Sequence, residues 1–357
     1  MRLNPAKLIR DLDVQAIAPA LEATRRGPLV LLFYDGYERR ARAGALGALR
    51  SQAHRAARFG WRNMRRRQVR TGFYTAFLSL VSCLRQAGCD VRVNDFAAAR
   101  ARPSYPIGLA GYPSVLEQAQ LPNPKIFGPG DFGSPEGSAA VAADPTFRRL
   151  IQPCEWFVDL YRPWCGDKMM SWFVGIDLRL WPDQSRHAKT QDFVIYDKIR
   201  WRRETQVPAV LDRVGARLDA QGLKHETLQY GAHHLDEFRA AVARSRGLIF
   251  LCEHETQGLA YQEAMAAGVP VLAWDEGELV DPFLRPFAPQ GFTVSSVPYF
   301  DSRCGERFTI GEFETTLERF QARLAAYRPR DYVAEHLSMA EAAERYLRAL
   351  QAVAAGT

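Results

Sequence analysis

The sequence predicts an α/β protein of two doubly wound, Rossmann-like domains facing a cleft. Three observations predict it. Short and almost uninterrupted apolar runs recur along the 357 residues, the pattern of parallel strands buried on both faces. Stretches with helical periodicity lie between them, separated by Gly-rich and polar punctuation. The pattern then halts at the polar stretch RLWPDQSRHAKTQ, 179–191, and restarts with a fresh strand. At roughly 150 residues per domain, the length accommodates two. The expected division is 1–185 for the first domain and 190–330 for the second.

Taken in order, the first strand is expected at 29–34, LVLLFY, after a polar amphipathic leader. A basic helix is expected over 45–66, with Leu46, Leu49, Ala53, Ala56 and Met64 near one face. A second helix starts at Thr71-Gly72 and runs through Leu84, and the strand DVRVND follows Gly88, which completes a βαβ unit. Further short strands are expected at 106–110, 125–127 and 151–153, a helix at 155–161, and a strand WFVGID at 172–177. The Pro- and Gly-rich stretch 122–135 reads as a loop around the 125–127 strand. In the second half the order is strand DFVIYDK (192–198), helix 207–221, strand HETLQYG (225–231), helix 235–245, strand LIFLC (248–252), a small-residue helix and strand VPVLAW. Two helices, 310–327 and 332–353, close the chain.

Charge is uneven. The formal net charge is +7, yet the stretch from Arg39 to Cys89 holds twelve arginines and no acidic residue, so the remainder is net acidic. This is a local feature. It reads as a solvated face, as a surface for anionic lipid with Phe59 and Trp61 as interfacial anchors, or as a phosphate-contacting surface. No nucleic-acid recognition motif accompanies it, which makes nucleic acid an unlikely partner. The six cysteines are scattered with no C-x-x-C pair, which argues against zinc and for reduced thiols. The N-terminus lacks the apolar core of a secretion signal, and the run Phe73–Leu84 is too short for a membrane span. A cytoplasmic location is expected, with peripheral attachment at the inner face of the membrane as an option for the 39–70 stretch.

The most informative segment is ETQGLAYQEAMAAGVPVLAW, 255–274. Glu255 follows a strand, Gly258 opens a helix, and Glu263 lies eight residues after Glu255. Carboxyl ends of parallel strands are where open α/β sheets bind ligands. A helix start without a side chain at Gly258 suits a phosphate. His233-His234 resembles a metal site only superficially, since adjacent side chains diverge. Asp11-Leu-Asp13 precedes the first strand and is discounted as a metal motif.

The segment resembles the Glu-x7-Glu signature of retaining GT-B-fold glycosyltransferases, family 4 in particular. Glu255, Gly258, Glu263, Ala264, Met265, Ala266, Gly268, Pro270 and Val271 match it in register. Gln257 stands where Phe is common, and Tyr261-Gln262 where aliphatic residues are common. The resemblance implies that Glu255 contacts the donor sugar near the reacting carbon and that Glu263 holds the ribose hydroxyls. It places the β-phosphate on the backbone near Gln257, Gly258 and Leu259. It assigns Lys198 and Arg203 to the diphosphate, in swapped order relative to the usual Arg then Lys, with Arg200 and Arg202 as competitors. Tyr230-Gly231 falls at the base-contacting loop, His254 beside the donor, and Gly72 at the glycine loop of the first domain. The closing segment, 331–357, is expected to cross back to the first domain. The implied activity is retaining, metal-independent transfer from a nucleoside-diphosphate sugar to a glycan or lipid-linked acceptor, with no cofactor. A GT-B-fold nucleotide-sugar epimerase and a noncatalytic glycosyltransferase-like binding module remain open alternatives.

Overall fold

The computed structural model describes residues 27–35 and 72–356. The expected basic helix at 45–66, the Arg-rich 39–70 stretch with His54, Phe59 and Trp61, and Asp11 and Asp13 lie outside the described residues. The chain divides into two compact units. One holds the chain through Pro153, Tyr161–Gly175 and Met339 onward; the other holds Cys154–Leu160 and Ile176–Ser338.

In the first unit, β1 (Leu29–Asp35), α1 (Gly72–Gln86) and β2 (Asp90–Val93) form the opening βαβ unit. α2 (Phe96–Arg100), β3 (Ile107–Gly111), α3 (Ser114–Gln118), β4 (Lys125–Gly130), α4 (Ala139–Ala143), β5 (Phe147–Gln152), α5 (Glu155–Cys165), whose residues through Leu160 belong to the second unit, and β6 (Met169–Ser171) follow. The six strands are parallel in the order β2-β1-β3-β4-β5-β6. β3 and β4 are buried along their whole length, as a sheet covered on both faces requires. The closing helix, Met339–Ala355, packs here on α1. Small residues let it approach: a Cβ on Gly108 would meet the Tyr346 hydroxyl at 2.1 Å, and one on Gly175 would meet Ala342 Cβ at 3.0 Å. The Trp172 indole N–H donates to the Ala342 carbonyl at 2.8 Å, and its ring meets Tyr346 edge-on.

The second unit carries β7 (Gln191–Asp197), α6 (Arg203–Gln206), a π-helical turn (Val207–Asp212), α7 (Arg213–Ala220) and β8 (His225–Gln229). α8 (Leu235–Arg244), β9 (Ser245–Leu251), α9 (Leu259–Ala266), β10 (Val271–Trp274), β11 (Gly305–Phe308), α10 (Phe313–Arg323) and α11 (Pro329–His336) complete it. Its five strands are parallel in the order β11-β10-β9-β7-β8. A core of Phe193, Ile195, Val214, Leu218, Ile249, Leu272, Phe313 and Phe320 fills one face. Both sheets reverse direction around their first strand: β1 lies between β2 and β3, and β7 between β8 and β9. These are the topological switch points, where crossovers on opposite faces leave a crevice beyond the strand ends.

Four expectations are corrected. Trp172–Asp177 is not a strand: the strand is Met169–Ser171, and the following run is buried by packing, with only Ile176 bridging to Ser338. A short apolar run does not reveal which of these buries it. The closing helix expected at 332–353 is two helices, broken where the Ile176 N–H takes the Leu337 carbonyl at 2.8 Å. The helix expected from Val207 begins at Arg203 and widens into a π turn around Pro208, which has no N–H to give an α-type bond. The 125–127 strand continues to Gly130, inside the stretch read as a loop.

Trp172 is almost fully buried, so Trp172→Ala is expected to cost about 3–5 kcal/mol of stability in denaturant unfolding. Trp172→Phe, which keeps a ring but loses the N–H bond to Ala342, should cost clearly less.

Candidate active site

The carboxyl ends of β7 and β9 flank the switch point of the second sheet, and two oppositely charged loops leave them there. Lys198 follows β7, and Glu253, His254 and Glu255 follow β9. The Lys198 ammonium contacts the Glu255 carboxylate directly, with both side chains largely buried. The second Glu255 oxygen accepts the Thr256 N–H at 3.0 Å, and the Glu255 N–H donates to the Ser295 carbonyl at 3.0 Å.

Glu253 fixes the β7 loop. Its buried carboxylate accepts the backbone N–H groups of Arg200 and Trp201, both at 3.0 Å. The Arg200 guanidinium donates to the His254 carbonyl at 2.7 Å, and lies 4.1 Å from the Trp201 ring centroid. Trp201 stacks on the His254 imidazole at 4.7 Å, while Trp156 meets it edge-on and donates its indole N–H to the Glu255 carbonyl at 3.0 Å. Arg203 is held elsewhere: it forks onto buried Asp197 at 2.9 and 2.7 Å and donates to the Ile199 carbonyl at 2.6 Å. The structure therefore brings Lys198, Arg200 and Glu255 together, with Arg203 tied to the strand end behind them.

The helix start is shaped by a glycine. Gly258 has φ +73°, and a Cβ there would lie 2.0 Å from Tyr261 Cε1. Tyr261 is fully buried, with its hydroxyl accepting the Tyr299 N–H at 3.1 Å. Gln262 ties the preceding turn down: its amide N donates to the Gln257 carbonyl at 2.6 Å and its amide O accepts from Gln257 Nε2 at 2.9 Å. Gln257 and Gln262 thus form a side-chain brace in place of the apolar residues common in the Glu-x7-Glu pattern. No side chain caps α9, so the amides of its first turn, from Leu259 on, keep the free donors and positive dipole end that favour an anion. At the other end Gly268, φ +78°, closes a Schellman motif, with the Gly268 N–H on Met265 and the Val269 N–H on Ala264. Arg330 donates to the Ala266 and Trp181 carbonyls nearby.

Electrostatics match this geometry. Burial pushes the Glu255 carboxyl upward, but the Lys198 and Arg200 cations outweigh it and hold the group below its ordinary value. Burial likewise opposes the charge on Lys198, and Glu255 more than restores it. The pair is ionised at neutral pH. His254 is the reverse: burial, then Arg200, push it down to about 4, so it is a neutral ring, and its Nε2 is buried without a partner. The Glu263 side chain is partly buried with no hydrogen bond or ion pair among the described residues, and burial raises it to about 8 against the opposing pull of Arg239. Asp275, at the end of β10, is raised by burial while accepting from Ser295 Oγ at 2.8 Å and the Ser296 N–H at 2.9 Å.

Tyr230 is 46% exposed, and the Lys198 ammonium lies 4.7 Å from its ring centroid. Gly231, φ +78°, turns the chain beyond it. Gly72 begins α1 in the first unit. Among the described residues, no three His, Cys, Asp or Glu side chains come together as a metal site. Glu253, Trp156, Trp201 and Asp275 are the residues that sequence reasoning missed. The signal for Glu253 was present: Glu-His-Glu at one strand end faces Lys-Ile-Arg-Trp-Arg-Arg at its neighbour.

Among the solved structures that match almost the whole chain are two glycosyl-group enzymes by name. The sucrose-phosphate synthase of Thermosynechococcus elongatus is similar over 93% of this chain and 100% of its own, at TM-score 0.56 and 13% identity. AviGT4, a glycosyltransferase involved in avilamycin A biosynthesis, is similar over 93% and 99%, at TM-score 0.54 and 12% identity. The fold is GT-B. At these identities it is the fold that is shared: two Rossmann-like domains in series, each an all-parallel sheet with helices between its strands. No family model matches the sequence, and no curated protein does.

Two outcomes follow from the helix that carries Glu263. Gly258→Ala is expected to lose at least about 1–2 kcal/mol of stability, the cost of a side chain in the left-handed region, before the clash with Tyr261 is added; chemical denaturation measures it. The raised Glu263 value makes folding lose stability as pH rises from the unfolded carboxylate range through about 8. Glu263→Gln stays neutral, so its stability relative to wild type should grow from pH 5 to pH 8 and then level off. A difference independent of pH would contradict the burial of an unpaired carboxylate.

Proposed function

We propose that the protein is a retaining glycosyltransferase that moves a sugar from a nucleoside-diphosphate sugar to a glycan or lipid-linked acceptor without a metal ion. One observation carries this reading: the ionised Lys198–Glu255 pair stands at the β7/β9 switch point, directly before the open amide end of the helix that bears Glu263. The GT-B fold and the nine-position Glu-x7-Glu match support it.

In this reading the Glu263 carboxyl, raised by burial to about 8 while it has no partner, takes the two ribose hydroxyls, whose hydrogen bonds favour its ionised form. The first amides of α9, at Gly258 and Leu259, receive the β-phosphate. Lys198 and Arg200, with Arg203 behind them, neutralise the diphosphate as the bond from the anomeric carbon to its oxygen lengthens, which is electrostatic stabilisation of a leaving group. Glu255 accepts hydrogen bonds from the sugar hydroxyls and faces the positive character that develops at the anomeric carbon. Each member of the ion pair is thereby kept in the charge state its role requires. The acceptor hydroxyl then bonds to that carbon on the face the diphosphate leaves, and its proton passes to the departing phosphate oxygen. Gln257, Tyr230, Gly231 and His254 line the donor in this assignment. Placement of the protein at the inner face of a membrane rests on the arginines of residues 39–70; among the described residues no helix is long and apolar enough to cross one.

The test is release of free nucleoside diphosphate together with glycosylated product. Removing one preorganised charge of this kind costs about 100- to 1,000-fold in kcat, so Glu255→Ala and Lys198→Ala should each fall by that range while remaining folded. Full transfer by folded Glu255→Ala would contradict the assignment.

A further inference from the structure

The loop after β8 contains two adjacent histidines that the structure puts to different uses. His234 is a helix cap: its Nδ1 accepts the Asp236 N–H at 3.4 Å, and Glu237 accepts the His234 N–H at 3.1 Å, a capping box at the start of α8. His233 takes no part in it. Its ring lies 5.3 Å from Tyr196 and 5.9 Å from Phe238, half-buried on the flank of β7. Tyr230, three residues earlier in the same loop, has the Lys198 ammonium 4.7 Å from its ring centroid. His233 therefore borders the same crevice, three residues beyond the exposed Tyr230 ring.

One hydrogen bond sets the chemistry of this ring. His233 Nδ1 lies 2.8 Å from the Gln229 carbonyl oxygen. A carbonyl only accepts, so Nδ1 carries the proton. In the neutral ring Nε2 is then a lone-pair acceptor, and it has no partner among the described residues. The loop thus presents one fixed acceptor beside an exposed tyrosine face, which is a platform on which a planar ring stacks.

We propose that His233 reads the nucleobase of the donor, selecting a base with an imide N–H. This rests on the nucleotide-sugar reading and deepens it. Uracil and guanine carry that N–H on their pairing edge and satisfy Nε2. Adenine and cytosine place a lone pair at the corresponding position, so two acceptors face each other and neither is satisfied. A site built to receive a hydrogen bond rejects the partner that lacks it, because its own polar group is left unpaired.

The experiment is calorimetric titration of UDP, GDP, ADP and CDP into wild type and His233→Phe. Phe keeps an aromatic ring against Tyr196 and Phe238 and removes both ring nitrogens, with them the Nδ1–H bond to Gln229; a thermal melt verifies that the variant folds. Wild type is expected to bind UDP or GDP at least about tenfold more tightly than ADP and CDP, and His233→Phe to lose that preference while binding ADP and CDP as wild type does. A preference that survives in His233→Phe, or wild type that binds ADP or CDP as well as the imide bases, overturns this inference and leaves the nucleotide-sugar reading standing. Folded wild type that binds none of the four overturns both.

Discussion

The contact between Lys198 and Glu255 is the interaction around which the second domain's carboxyl edge is arranged. Taking two charges out of water is expensive, and such a pair survives only where further hydrogen bonds satisfy both partners and hold the geometry. Here they do. Thr256 and the Arg200 cation complete the environment of Glu255, and Glu253 pins the backbone of the loop that presents Lys198. The aromatic stack of Trp156, His254 and Trp201 seals one side, and burial together with the Arg200 cation keeps the His254 ring neutral. Loss of either member leaves the other buried and uncompensated, which ties the integrity of the loops to the chemistry proposed for them.

The second constraint is topological. Parallel strands end together, and the reversal of strand order at β7/β9 leaves the space between their loops uncovered by a crossover. Loops there carry the polar and charged residues because the strands themselves are saturated with apolar side chains. Gly258 then directs α9 so that its amide end opens onto this edge, and Tyr261 occupies the volume that any other residue at 258 would need. Glu263 lies one turn further along the same helix, raised and unpaired. In the proposed function Glu255, the open helix end and the Glu263 carboxyl receive sugar, phosphate and diol, in that order.

Much of this was legible in the sequence. The central strands and the glycine-opened helix follow from apolar runs and local turn chemistry, because parallel strands must be apolar on both faces and Gly258 must adopt positive φ; the Glu255-to-Glu263 spacing gained its meaning from the resemblance. The short helices over 96–100, 114–118 and 139–143 left no periodicity to find. Trp172–Val174 was misread since burial by the closing helix and burial by strand pairing leave the same apolar run. Arg203 was placed by the resemblance, which could not show that Asp197 holds its guanidinium. Glu253 acts through backbone amides of another loop, a relation that spacing within one segment does not encode. His233 and His234 are adjacent and identical in sequence; only their hydrogen-bond partners tell them apart.

The central claim is that this edge binds a nucleoside diphosphate through Glu263. The most direct measurement is a thermal-shift comparison of UDP, GDP, ADP and CMP on wild type and Glu263→Ala. A ligand at 100 times its dissociation constant stabilises the folded state by about 2.7 kcal/mol, a visible rise in melting temperature. The account predicts that at least one diphosphate stabilises wild type and that Glu263→Ala loses the response. A response of equal size in Glu263→Ala, or none in wild type with any of the four, would contradict it.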